Sequence, residues 1–295
     1  MSELSIAHIV NPVIVNRDSD LYAAQPVTFE TMRRAREFAK KEVKVKQFAA
    51  FFPEDEKMVP KGLIKTKPLD RSILDVKNFT RKRKLPLLKD ILDRLYEKSK
   101  AAYFIYTNVD IALMPHFYLA VKNIIEQGYD GFIIFRRTLS EKYHSIDQLP
   151  MMYTDYGEKH TGHDCFVFKR AIYEKFVLGD ACIGAKQIAR LIMSNMMAYS
   201  QNYTQFKDLH LTFHIDNKEN WKKSDSNEYY YFNVIELMKT FKALFKREDI
   251  LDREKLLDFY KFNIRRIQEQ APDYPETGYL EIVRDTINDL MKGEK

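Results

Sequence analysis

One stretch, Tyr103–Pro115 (YFIYTNVDIALMP), constrains this chain more than any other. Four apolar and aromatic residues, Tyr103–Tyr106, give way at once to Thr107, Asn108 and Asp110. That is the pattern of a buried strand delivering a polar, acidic tip to the end of a sheet. Open α/β sheets bind ligands at strand ends of this kind. A carboxylate set there is placed to hold a cation that bridges phosphates.

The rest of the chain can supply such a sheet. Its 295 residues are 45% hydrophobic and 13% aromatic, enough for a well-filled core and too apolar for disorder over most of the length. Only 9 glycines are present, and neither GxxxxGK[ST] nor GxGxxG occurs, so P-loop and dinucleotide-binding readings lose their signature. The two cysteines, Cys165 and Cys182, have no metal-ligand spacing and fit a reducing compartment. The first residues, MSELSIAHIVNPVIV, lack the basic and apolar regions of a signal peptide. No apolar run nears the roughly 20 residues that span a bilayer. The expectation is a soluble, cytoplasmic protein. A net charge of +6 suits nucleic acid, anionic lipid or an anionic small molecule, and equally a mildly basic surface with no partner.

Periodicity divides the chain into alternating elements. Ile6–Val15 reads as a strand broken at Asn11-Pro12, and Phe29–Lys41 as a helix that Thr28 would cap. Val43–Phe52 reads as a strand and Leu85–Lys98 as a helix with Pro86 in its first turn. After the strand ending at Asp110 come a helix over Pro115–Gln127, with Gly128 as its C-cap, and a strand over Phe132–Phe135 that runs into Arg136-Arg137. This β-α-β-α-β-α-β order predicts a largely parallel, helix-covered sheet. A second block holds a strand over Cys165–Phe168, a helix over Ala185–Tyr199 and a strand over Leu209–Ile215. From Asn233 the chain reads as charged helices, with Phe241, Leu244, Phe245, Leu256, Leu257, Phe259 and Phe262 as packing residues.

TNVDIALMPHFY resembles the metal-binding strand end of GT-A-fold, nucleotide-sugar-dependent glycosyltransferases, and more narrowly a TNxDI-type subgroup. RKRKLPLLKDIL before it, and GHDCFVFKR and HLTFHIDNKENW after it, fit in order and spacing, so the resemblance covers about residues 5–222. It implies a GT-A-like α/β domain over residues 1–232 and a C-terminal helical extension over 233–295. It also implies a divalent cation, Mn²⁺ or Mg²⁺, that neutralises the donor diphosphate. The family's Asp-x-Asp motif reads Asn108-Val109-Asp110 here, so one charged ligand is replaced by an amide. Metal affinity is then weaker, or the metal arrives with the nucleotide. Asp110 and His214 are the expected metal residues. Asp110 also suits a turn before Pro115, and His214 a strand-end histidine bonded to backbone.

The remaining expected site residues follow from position in the resembled fold. Asn11, Pro12, Asn16 and Arg17 lie in the loop after the first strand, around base and ribose. Arg83 and Lys84, in the run Arg81–Lys84, suit the diphosphate, as does Arg136-Arg137. Asn108 and His163 complete the nucleotide-sugar set. Asp164, set by Gly162 just before an apolar strand, suits sugar hydroxyls or the base of an inverting transfer. The acid expected at the start of the following helix is missing, because Gly184-Ala185-Lys186 stand there, and Asp180 is the nearest carboxylate. Trp221 suits either stacking on a ligand or capping the core. The expected activity is transfer of a sugar from a nucleoside diphosphate donor to an unknown acceptor. The alternatives are a non-catalytic nucleotide-sugar-binding protein of this fold, or a basic nucleic-acid-binding protein, which no RNP-like or Cys/His motif supports. Self-association into a homo-oligomer stays open.

Overall fold

The computed structural model describes residues 4–215, 227–270 and 277–292. The chain forms two compact units. The first is built from residues 1–70, 90–173 and 201–220, the second from 71–89, 174–200 and 221–295. Trp221 lies outside the described residues.

In chain order the strands are β1 (Ser5–Val10), β2 (Lys44–Ala49), β3 (Ile64–Lys65), β4 (Tyr103–Thr107), β5 (Ala112–Leu113), β6 (Gly131–Leu139), β7 (Glu158–Lys169), β8 (Tyr203–Phe206) and β9 (Thr212–Ile215). The helices are α1 (Asp20–Ala39), α2 (Leu88–Lys98), α3 (Phe117–Glu126), α4 (Leu149–Thr154), α5 (Arg170–Tyr173), α6 (Ile188–Tyr199), α7 (Asn227–Phe245), α8 (Arg253–Gln270) and α9 (Thr277–Lys292).

The strands of the first unit form one sheet in the order β3-β2-β1-β4-β7-β6-β9-β5, with β8 also on β6. The half from β3 to β4 is parallel, as the alternation of strands and helices predicts. All five residues of β4 are buried, which is what a central strand covered on both faces requires. Between β4 and β6 the chain inserts β7, antiparallel to both. The main core gathers Ile6, Ile105, Val121, Phe132, Ile134 and Val167 beside Met32 and Ala35 of α1.

Several boundaries differ from the sequence reading. Helix α1 starts nine residues earlier than Phe29, at Asp20, where Ser19 accepts the Leu21 amide; Thr28 is buried mid-helix and caps nothing. Pro26 therefore sits inside α1, where a proline costs one helical hydrogen bond. Strand β1 stops before Asn11-Pro12 instead of crossing them. Arg136 and Arg137 lie within β6, and His163 and Asp164 within β7, not beyond or before their strands. The half-buried strand β8, YTQF, has no apolar run that would reveal it.

In the second unit, Ile73, Phe79, Leu87, Cys182, Tyr229 and Phe232 form one apolar cluster, with Phe79 stacked on Tyr229. Along α7 and α8 the buried side chains include Phe241, Leu244, Leu256 and Tyr260, with Phe241 stacked on Tyr260. Phe262 is exposed, against the sequence reading, because the buried stripe of α8 runs through Leu256, Tyr260, Ile264 and Ile267 and leaves it off the apolar face. Cys165 and Cys182 are both buried free thiols. No helix of the described residues is long and apolar enough to cross a membrane.

Candidate functional site

The polar tip of β4 meets β6 and β7 in the first unit. Tyr106 donates its hydroxyl to Asn108 Oδ1 at 3.1 Å, and the Asn108 amide donates to Asp164 Oδ1 at 3.2 Å. The other Asp164 oxygen accepts from Arg136 Nη1 at 2.8 Å. Both side chains of that ion pair are 14% exposed, so the pair is largely desolvated and its mutual attraction is little screened. His160 stands against the same guanidinium at 3.4 Å, while its Nδ1 accepts the Gly162 amide at 2.8 Å. That hydrogen bond places the neutral ring's proton on Nε2, facing Arg136. Burial and then the Arg136 charge push the His160 pKa down to about 4. A Cβ on Gly162 would meet the His160 ring at 2.5 Å, so the glycine lets that ring fold back over the strand.

Beside this cluster, Asp110 Oδ2 and His214 Nε2 lie 3.2 Å apart. Asp110 Oδ1 is buried with no hydrogen-bond partner. Burial pushes the Asp110 carboxyl up, but the His214 hydrogen bond and the charges of His214 and Arg136 outweigh it, so the group sits below its usual range. Tyr106 is pushed well up by burial and by the charges of Asp110 and Asp164. Two carboxylates, one guanidinium and two imidazoles thus share the end of a sheet. Among the described residues no three His, Cys, Asp or Glu side chains converge into a metal cage.

Of the residues expected from the sequence, Asn108, Asp110, Asp164 and His214 are brought together here. His163 is half-buried and packs edge-on against Phe135 at 4.5 Å, apart from these hydrogen bonds. Asn11, buried after β1, donates to the Ala50 carbonyl at 2.8 Å, which fixes the loop start. Gln25 then clamps both the amide and the carbonyl of Val13, and Asp55 accepts the Ile14 amide. Pro12 is buried in that loop, whereas Asn16 and Arg17 are exposed. Arg83, Lys84 and Asp180 belong to the second unit. There the Arg83 amide donates to Tyr229 Oη, and Asp180 pairs with Arg71 at 3.1 Å.

His160 and Tyr106 were missed as site residues, and Arg136 was seen only as half of a basic pair. The signal was a period of two: His160, Gly162 and Asp164 are alternate residues of β7 and share one face. Reading Asp164 as a loop residue hid that alternation.

No family model matches the sequence, and no curated protein matches it. Among solved structures the chain is similar to residues 1–349 of S. aureus TarS in complex with UDP-GlcNAc, with a TM-score of 0.55 and 8% identity over 98% of this chain and 81% of that one. It is also similar to a second structure of S. aureus TarS, with a TM-score of 0.50 and 7% identity over 98% of this chain and 49% of that one. At such identity the likeness carries the fold, which is a GT-A-like α/β architecture.

Proposed function

We propose that this chain binds a nucleoside diphosphate sugar at the end of β4 and transfers the sugar to an acceptor. The observation that carries the reading is the cluster Asn108–Asp164–Arg136 beside the Asp110–His214 pair, on a fold shared with a protein crystallised with UDP-GlcNAc. Arg136 supplies a fixed positive charge for phosphate oxygens. Asp164 accepts one hydrogen bond on each oxygen, so about half of its lone-pair sites stay open to a sugar or acceptor hydroxyl. It can hold such a hydroxyl and take its proton.

The orphaned Asp110 Oδ1, and His214 Nε2 once it gives up the proton it shares with Asp110 Oδ2, would form a donor set for Mn²⁺ or Mg²⁺. Two protein ligands are too few for a dedicated cage, so a cation here would take its remaining ligands from water and diphosphate. Its chemistry would be to neutralise the charge of the departing nucleotide.

A binding-only reading is favoured by one observation: both Asp164 oxygens are already engaged. Calorimetry of UDP and UDP-GlcNAc, with Mn²⁺ and with chelator, tests the donor site. Binding is expected to tighten with Mn²⁺, and Asp110→Asn to remove that gain. No binding under either condition would end the proposal. If the chain is a transferase, Asp164→Asn keeps donor binding and lowers transfer, or slow donor hydrolysis, by at least ~100-fold. A wild-type protein that binds UDP-GlcNAc yet neither transfers nor hydrolyses it is a binding module.

A further inference from the structure

Arg137, the neighbour of Arg136 on β6, makes none of the contacts described above. It is 3% exposed, and its Nη2 has no hydrogen-bond partner. Among the described residues no carboxylate pairs with it. The two acids whose charges reach this neighbourhood are committed elsewhere. Asp155 accepts from the Tyr143 hydroxyl and the Gly157 amide, both at 2.9 Å, and Asp208 forms an ion pair with Lys159. After the Lys159 hydrogen bond, the Arg137 charge helps hold the Asp208 carboxyl down, yet no ion pair joins Arg137 to Asp208, and a buried guanidinium without a paired carboxylate is costly to keep.

What does face Arg137 is an aromatic ring. The guanidinium carbon lies 3.7 Å from the centroid of Tyr156, and Tyr156 is 58% exposed. On the same ring, His210 packs edge-on at 5.2 Å, and its Nε2 is also buried and unpartnered. Burial, then the charges of Arg137 and His116, hold His210 below its usual pKa, with Asp155 opposing them. Gly157 fixes the geometry. It adopts φ +57°, and a Cβ there would meet the Thr138 carbonyl oxygen at 2.5 Å. Only glycine lets the Tyr156 turn lie that close to β6.

We propose that Arg137, Tyr156 and His210 form an oxyanion site, separate from the Arg136–Asp164 cluster, that takes a phosphate group. Two unsatisfied, buried nitrogens border the same exposed ring, and with the His210 proton on Nε2 both would donate to a bound anion. A tetrahedral phosphate uses both, whereas a planar carboxylate is satisfied by the guanidinium alone. The proposal does not depend on the nucleotide-sugar reading: Arg137, expected from the sequence beside Arg136 at a diphosphate, takes no part in the Asn108–Asp164–Arg136 hydrogen bonds.

The test is a titration of the full chain with inorganic phosphate at low ionic strength, following the His210 ring resonance by NMR, with acetate as the planar control. Phosphate is expected to move that resonance and to bind more tightly than acetate. Arg137→Gln should weaken the effect by about 10- to 100-fold, the range for loss of one charge-assisted hydrogen bond. Since replacing a buried arginine can disturb folding, Tyr156→Ala, at an exposed residue, is the second variant and should also weaken binding. A resonance unmoved by roughly 50 mM phosphate, a range where even very weak binding shows, would overturn the proposal. So would acetate binding as tightly as phosphate, or both variants binding phosphate like the wild type.

Discussion

His8 shows how much a single side chain can commit. It is fully buried, with Nδ1 2.8 Å from Tyr118 Oη and Nε2 2.8 Å from Thr107 Oγ1. Tyr118 Oη accepts from the Gln47 amide, so its own proton goes to His8 Nδ1, and the ring proton sits on Nε2 toward Thr107. Burial pushes the His8 pKa down to about 3 from its ordinary 6.5. The folded state therefore demands a neutral ring. Its contribution is complete above pH 6.5 and is lost as the pH falls from 6.5 toward 3, at about 1.4 kcal/mol per pH unit. Urea unfolding of wild type and His8→Gln between pH 7.5 and 4 should show a steeper acid loss in the wild type. Equal slopes would mean that His8 charges without cost. The same scale shows what was legible in the site. Asn108, Asp110 and His214 stand at strand ends, where a change from apolar to polar residues is visible in one dimension. The Asp164–Arg136 pair joins residues 28 apart on two strands whose pairing is irregular around Phe135, and no local pattern encodes that partnership.

Elements were legible where amphipathic period and length agreed, and not where a long-range contact decided them. Helix α2 keeps its expected C-terminal end at Lys98, because Ile91, Leu92 and Leu95 mark its buried face plainly. Helix α1 was cut short by reading Thr28 as its N-cap, although tertiary packing of Ala24, Val27 and Met32 carries the helix through Pro26 and Thr28. In the second unit, one α7 side-chain amide makes three bonds to backbone. Asn233 accepts from the Cys182 amide at 2.9 Å and donates to the carbonyls of Cys182 and Lys186 at 2.9 and 3.0 Å. No side-chain pattern announces this, since Asn233 looks like a poor helix former in a charged stretch. Asn233→Ala leaves those buried backbone groups unpaired and should cost roughly 2–4 kcal/mol. Denaturant titration checks it, and a loss under about 0.5 kcal/mol, the size of an ordinary surface substitution, would show that water replaces the amide.

For the whole molecule, the parallel half of the sheet followed from the order of elements and its GT-A-like character from the resemblance of TNVDIALMPHFY, but the division of the chain did not. Each unit draws on three separated stretches, so sequence order and spatial grouping part company. The 232/233 boundary read from the sequence lies inside α7. A chain stopped at residue 232 should lose the cooperative unfolding of the second unit, and its Phe79–Tyr229–Phe232 cluster should bind an apolar dye. Full-length cooperativity in that truncation would contradict the grouping. The interleaving also sets a schedule for a nascent chain. Arg83 leaves the ribosome 146 residues before the Tyr229 that receives its amide. At 5–20 residues per second that is a wait of roughly 7–30 s. Throughout it Ile73, Phe79 and Leu87 have no helix to cover them, and that is the window in which a chaperone or an aggregate would find this protein.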